Sequence, residues 1–247
     1  MSPEPGELAA LAALAFAGSL VYGLTGFGAG LITVSFATHL VPLPFALALF
    51  VLMDLGNGLR VGFENPRNAV RGEWTRMVPA ILAGTVVGAA LLLNLPRQAA
   101  TAALGVFVTG FALYMLGGRG ARAALSPRWV YVAGFAGGIT SALFGAGGPP
   151  YAMYLSQRGL SKEQFRATMG FATLSSISLR FLAFIALGSL LDSKVWLYAC
   201  AVVPAGLAGI WVAGHFFRRI SREALLRAVA LVLLASGVSL VARAVGS

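Results

Sequence analysis

Four stretches of the chain, 8–41, 80–93, 99–118 and 195–217, contain no Asp, Glu, Lys or Arg. Crossing a bilayer as an α-helix takes about 20 mostly apolar residues, and these stretches meet that length or nearly so. The pattern predicts a broken hydrophobic segment over 8–41, followed by helices near 45–63, 75–93 and 97–116. A second broken segment over 129–155 precedes helices near 164–188, 194–215 and 223–242. The expected fold class is an all-α polytopic membrane protein.

Glycines interrupt both broken segments. Thr25-Gly26-Phe27-Gly28-Ala29-Gly30 lies in the first, and Leu143-Phe144-Gly145-Ala146-Gly147-Gly148-Pro149-Pro150 in the second. They share Phe-Gly-Ala-Gly at an offset of 117 residues. Glycine loosens a helix at membrane depth, and lipid cannot satisfy the backbone groups this frees. Such breaks persist where protein or a water-filled cavity receives them. Paired interrupted segments are the best sequence pointer to a transporter site. The same glycines also read as packing contacts, since Gly26 and Gly30, like Gly134 and Gly138, have GxxxG spacing.

The repetition runs further. Val78-Pro79-Ala80-Ile81-Leu82-Ala83-Gly84 returns as Val203-Pro204-Ala205-Gly206-Leu207-Ala208-Gly209. At the same offset of 125, Leu95-Pro96-Arg97 corresponds to Ile220-Ser221-Arg222, and Phe45 and Arg60 match Phe165 and Arg180 at an offset of 120. Two homologous halves are expected, 1–118 and 128–247, joined by a linker at 119–127.

Composition agrees with this picture: 58% of residues are hydrophobic and 11% charged, where a soluble domain has about a quarter charged. The net charge of +10 is read as loop residues that set orientation, and no nucleic acid is expected. If all eight segments cross, the loop Lys and Arg divide eight against eight. If each broken segment is a re-entrant hairpin, they divide thirteen against three, with Arg97, Lys194 and Arg243 on the poor side. Each half then crosses three times, so the halves are inverted and the N-terminus is periplasmic. Eight crossings with parallel repeats is the competing arrangement. The N-terminal residues Met1 to Glu7 include no Lys or Arg, so the first hydrophobic stretch is expected to be retained rather than removed as a signal peptide.

The residues able to carry chemistry are few. Pro149-Pro150 stops one helix and opens another, whose positive N-terminal end would face the break and favour an anion. Thr25 and Ser141 stand nearby with hydroxyls. Arg60 and Arg180 are charges inside hydrophobic segments, which are costly and usually functional. Arg60 is close enough to its helix end to snorkel, whereas Arg180 lies deeper, beside Ser175, Ser176 and Ser178. Asp54, with Asn57 a turn away, is either an ion-coupling group for H+ or Na+ or a structural partner of Arg60. The expected substrate contacts are therefore Thr25, Gly26, Phe27, Gly28, Gly30, Arg60, Ser141, Phe144, Gly145, Gly147, Gly148, Pro149, Pro150 and Arg180. The absence of a P-loop argues against ATP hydrolysis. Two distant histidines and one cysteine, Cys200, give no metal site or disulfide, and neither a cofactor nor an enzymatic activity is expected.

The paired breaks, the duplicated hydrophobic pattern and Gly145-Ala146-Gly147-Gly148-Pro149 resemble the TauE/SafE family of sulfite exporters and related membrane transporters, over nearly the whole chain. The resemblance implies movement of small anions, among them sulfite, sulfonates and related organic acids, across a bacterial inner membrane. The expected function is secondary transport by alternating access at the interface of the halves. A passive anion channel and a non-transporting scaffold are the alternatives, and the oligomeric state, homo-oligomer included, is left open.

Overall fold

The computed structural model describes residues 4–117, 125–216 and 222–246. They form ten α-helices and one short 3-10 turn. The helices are α1 (Pro5–Thr25), α2 (Ala29–Ala37), α3 (Leu43–Gly62), α4 (Arg71–Asn94), α5 (Arg97–Leu116), α6 (Trp129–Phe144), α7 (Gly148–Leu155), α8 (Lys162–Ala186), α9 (Ser193–Phe216) and α10 (Arg222–Gly246). Most of the 119–127 linker, with Arg119 and Arg122, lies outside the described residues, as do Arg218, Arg219, Ile220 and Ser221.

Local chemistry sets the helix ends. Pro42 and Pro96 stand just before α3 and α5, where a missing N–H costs nothing. Ser161 and Gln164 form a reciprocal capping box at the start of α8. Each predicted broken segment is a pair of helices, α1–α2 and α6–α7. Seven of the described helices are long and apolar enough to cross a membrane, and α1, at 21 residues, is one of them. The hairpin arms are therefore unequal: α6 has only 16 residues.

Both pairs fold back on themselves. A methyl on Gly18 of α1 would overlap the Thr33 side chain of α2, which a straight continuation of α1 would carry far away. Leu125, before α6, donates its N–H to Gln157, after α7, so that hairpin enters and leaves at one end of the bundle. The α1–α2 hairpin does so at the opposite end. There Tyr198 at the start of α9 bonds Glu7 at 2.8 Å and its ring meets Phe45, just past the α2–α3 turn.

Around the hairpins α1 packs on α9, α6 on α4, α3 on α8 and α5 on α10. Small residues allow these close crossings. Gly84 of α4 lies against the Phe135 carbonyl of α6, and Gly209 of α9 against the Phe16 carbonyl of α1. In α3, 67% of the span is buried, against 33% in α4, α5 and α9, so α3 lies at the centre. Leu82, Val86, Leu113, Val106, Trp196 and Trp211 are exposed on the outer helices, an apolar surface suited to lipid.

Candidate functional site

The two breaks meet. Gly26 ends α1 in the left-handed conformation (φ 83°), and Gly28 takes it again (φ 95°) before α2 starts. Gly145 ends α6 likewise (φ 68°), its N–H bonded to Ser141 while Ala146 reaches back to Thr140. These capped ends align at an offset of 119, two residues from the offset of the shared Phe-Gly-Ala-Gly. Gly30 abuts the Gly145 carbonyl so closely that any side chain would overlap it, and the Phe27 Cβ lies against Gly148.

Between the tips lies a cavity of about 30 Å³. Tyr22, Phe27 to Gly30, Asp54, Ser141, Gly145 to Gly148, Tyr151, Thr173, Ser176 and Ile177 line it. Its size is that of about one water molecule. Gly28 and Gly147, which precede α2 and α7, provide no side-chain cap, so the helix starts that line the cavity depend on something else for their first N–H groups.

Arg180 supplies the charge. Its Nη2 donates to Asp54 Oδ2 at 2.6 Å, and its Nη1 donates to the Ser141 carbonyl at 3.1 Å, directly beside Gly145. The side chains of Arg180 and Asp54 are 1% and 4% exposed. Two buried polar atoms here, Asp54 Oδ1 and Arg180 Nε, have no hydrogen-bond partner among the described residues, and the buried Tyr151 and Ser176 hydroxyls are left to each other. Tyr22, by contrast, is tied to Thr173 at 2.9 Å. A buried polar group without a partner costs about 1–3 kcal/mol, and the cavity beside these atoms has room for about one water to serve them.

Not every residue expected at the site reaches it. Phe27, Gly28, Gly30, Ser141, Gly145, Gly147, Gly148 and Asp54 line the cavity, and Arg180 adjoins it through Asp54 and Ser141. The Thr25 hydroxyl is used within the break, donating to the Val21 and Phe27 carbonyls at 2.8 and 2.5 Å, and Gly26 serves as a helix cap. Phe144 stacks on Phe107 at 5.5 Å. Pro149 and Pro150 form the first turn of α7 but do not line the cavity and, as prolines, have no N–H to offer. Arg60 is exposed at the end of α3, with its guanidinium 3.8 Å from the place a Cβ on Gly214 would occupy. Asn57 donates to Ser19 Oγ at 2.7 Å and joins α3 to α1 away from the cavity. Tyr22, Tyr151 and Thr173 are cavity residues that no sequence signal singled out, because aromatic and hydroxyl side chains are common in any membrane helix.

At the end of the bundle where α6 begins, a second polar cluster holds the α6–α7 hairpin. Arg158 grips Glu73 of α4 through Nε and Nη2, both at 2.8 Å, and donates through Nη1 to the Leu125 carbonyl at 2.7 Å. Tyr154 adds a bond to Glu73 at 2.5 Å.

Fold and site together define a polytopic membrane protein in which two helical hairpins meet, tip to tip, over a buried ion pair. The chain belongs to the sulfite exporter TauE/SafE family, whose model matches residues 10–240, and this places it among membrane transporters. It is 28% identical over 254 residues to the "Probable sulfite/organosulfonate exporter TauE" of Cupriavidus necator, covering 97% of this chain and 96% of that protein. It is also 25% identical over 195 residues to the "Probable inner membrane transporter protein TsaS" of Comamonas testosteroni, covering 78% of this chain and 81% of that one. No solved structure matches the chain.

Proposed function

We propose that the protein is a secondary transporter of small oxyanions, of the sulfite, organosulfonate or carboxylate class, in a bacterial inner membrane. One observation carries this reading. The hairpin tips, Asp54 and the Tyr151 and Ser176 hydroxyls line one cavity, and the Arg180 guanidinium adjoins it through Asp54 and Ser141. Arg180, the two hydroxyls, the N–H groups opening α2 and the single Gly148 N–H opening α7 can all donate, as recognition of an oxyanion requires. The name of the Cupriavidus necator relative supports the sulfur-containing members of the class.

Alternating access follows from size. A cavity of about 30 Å³ admits no sulfonate, so the anion enters only when the tips part. A permanently open channel has no use for tips closed this tightly. The helix pairing supports inverted halves, 1–118 and 128–247: α1 on α9 repeats as α6 on α4, while α3 on α8 and α5 on α10 pair equivalent elements. Arg67, Arg71, Arg128, Arg158, Lys162 and Arg166 cluster towards the end where α6 starts, opposite Arg97, Lys194 and Arg243. The positive-inside rule then makes the basic end cytoplasmic and the N-terminus periplasmic.

Thermal unfolding of the purified protein tests the substrate class. A ligand at 100 times its Kd stabilises the folded state by about 2.7 kcal/mol. Sulfite, methanesulfonate or a small carboxylate is expected to raise the melting temperature, and Arg180→Met to remove the effect. If none of these anions stabilises the wild type, the proposal is wrong.

A further inference from the structure

The Asp54–Arg180 pair limits what can bind beside it. Asp54 Oδ2 accepts from Arg180 Nη2 at 2.6 Å, while Oδ1, on the same cavity-lining side chain, has no partner. The pair is neutral as it stands. An anion that takes the guanidinium would leave the closed cavity with one excess negative charge and almost no water to screen it. Uncompensated buried charge is strongly disfavoured.

No other described residue nearby supplies the missing positive charge. Among the described residues Arg180 from α8 and Tyr22 from α1 face Asp54, Tyr151 from α7 lines the same cavity and faces Arg180, and neither tyrosine is a cation. The helix starts at Ala29 and Gly148 contribute only partial charge. A single proton restores neutrality, and the carboxylate that loses its arginine partner is the group able to take it.

We infer that Asp54 is a proton-binding site coupled to the anion site: its carboxylate takes one proton as the anion displaces it from Arg180, and a monoanion and a proton cross together. This rests on the reading of the cavity as an anion site. In the step, the Arg180 Nη2 to Asp54 Oδ2 hydrogen bond breaks and Nη2 donates to an anion oxygen instead. The proton comes from water on the loading side and returns to water on the other when the ion pair re-forms. No electrons are transferred. Between crossings the neutral ion pair is the resting occupant, which accounts for a buried salt bridge in the wall of a transport cavity.

Linkage makes the inference measurable, because the anion raises proton affinity by the factor by which the proton raises anion affinity. Methanesulfonate is the probe, since it stays a monoanion across the pH range and its own titration cannot imitate coupling. Calorimetric titration of the detergent-purified wild type from about pH 5 to 8 is expected to show affinity falling about tenfold per unit where Asp54 is ionised. Repeating it in buffers of different ionisation enthalpy should show about one proton taken up per anion bound. In Asp54→Asn the pH dependence should vanish. Wild-type affinity that ignores pH, with no proton uptake, overturns the inference, and so does an Asp54→Asn protein that keeps the tenfold slope. If that variant does not fold, the wild-type measurements decide alone. Replacing sodium by choline in the same titration separates the ions, and affinity that follows sodium rather than pH would also overturn the proton assignment. If the wild type binds neither methanesulfonate nor sulfite at any pH, the anion-site reading falls and takes this one with it. That outcome is distinct from binding without pH dependence.

Discussion

Removing the Arg180 guanidinium alone strands the Asp54 carboxylate inside the protein, whereas replacing both leaves an apolar pair. Breaking one side of a buried ion pair costs about 3–5 kcal/mol, but exchange of the whole pair for apolar residues is often neutral. Arg180→Met should therefore unfold well below the wild type in detergent, and adding Asp54→Leu should recover about 2 kcal/mol or more of that loss. Equal destabilisation of the single and double variants would show that the two side chains do not depend on each other. Glycines allow a matched comparison. Gly30→Ala drives a methyl into the Gly145 carbonyl and should cost about 1–3 kcal/mol, because neither backbone can yield. Gly110→Ala, in α5 with nothing within 4 Å, should instead stabilise by up to about 1 kcal/mol. Much of this scale was legible in the sequence. Arg180 stood out as a deep charge among serines, and Gly30 as part of a break. The partner of Asp54 was not legible: Arg60 is near in sequence, but six residues along a helix point elsewhere, and a contact across 126 residues leaves no local trace.

At the scale of elements, the breaks and the six other hydrophobic helices were readable because the bilayer demands length and apolarity. The α5 boundaries coincide with the predicted 97–116, and the other helices lie within about four residues. Less visible was the inequality of the hairpins. Glycine spacing marks where a helix ends but says nothing of how far the chain runs back, so α1 at 21 residues and α6 at 16 looked alike. The Arg158–Glu73–Tyr154 cluster that holds the second hairpin also escaped notice, since its members are 81 and 85 residues apart. Glu73→Gln should lower stability by about 2 kcal/mol by unpairing Arg158 and loosening α7 from α4. A melting temperature unchanged from the wild type would assign the cluster no structural role. The hairpins themselves make a prediction about sidedness. With Cys200 replaced by Ser, Leu40→Cys and Ser156→Cys should react with an impermeant maleimide from opposite faces of the membrane. Eight full crossings would put both on the same face.

For the whole molecule, the closest approaches around the hairpins fall on repeated sequence. Gly84 and Gly209, the last residues of the matched Val-Pro-Ala motifs, each receive a backbone carbonyl from the long arm of a hairpin, Phe135 and Phe16. The two arms are thereby clamped alike from outside, and their tips are brought together at the centre. The symmetry ends there, because Arg180 is buried against Asp54 while its sequence counterpart Arg60 faces outward. One guanidinium serves one cavity, and the account stands on it. Counterflow of labelled sulfite and methanesulfonate in proteoliposomes, with the wild type beside the folded Asp54→Leu/Arg180→Met protein, tests this most directly. Loss of a buried charged contact to the anion is worth about 2–5 kcal/mol, so exchange of at least one anion should fall by about 30-fold or more in the double variant. A double variant that is folded, inserted and exchanges both anions at the wild-type rate would contradict the account.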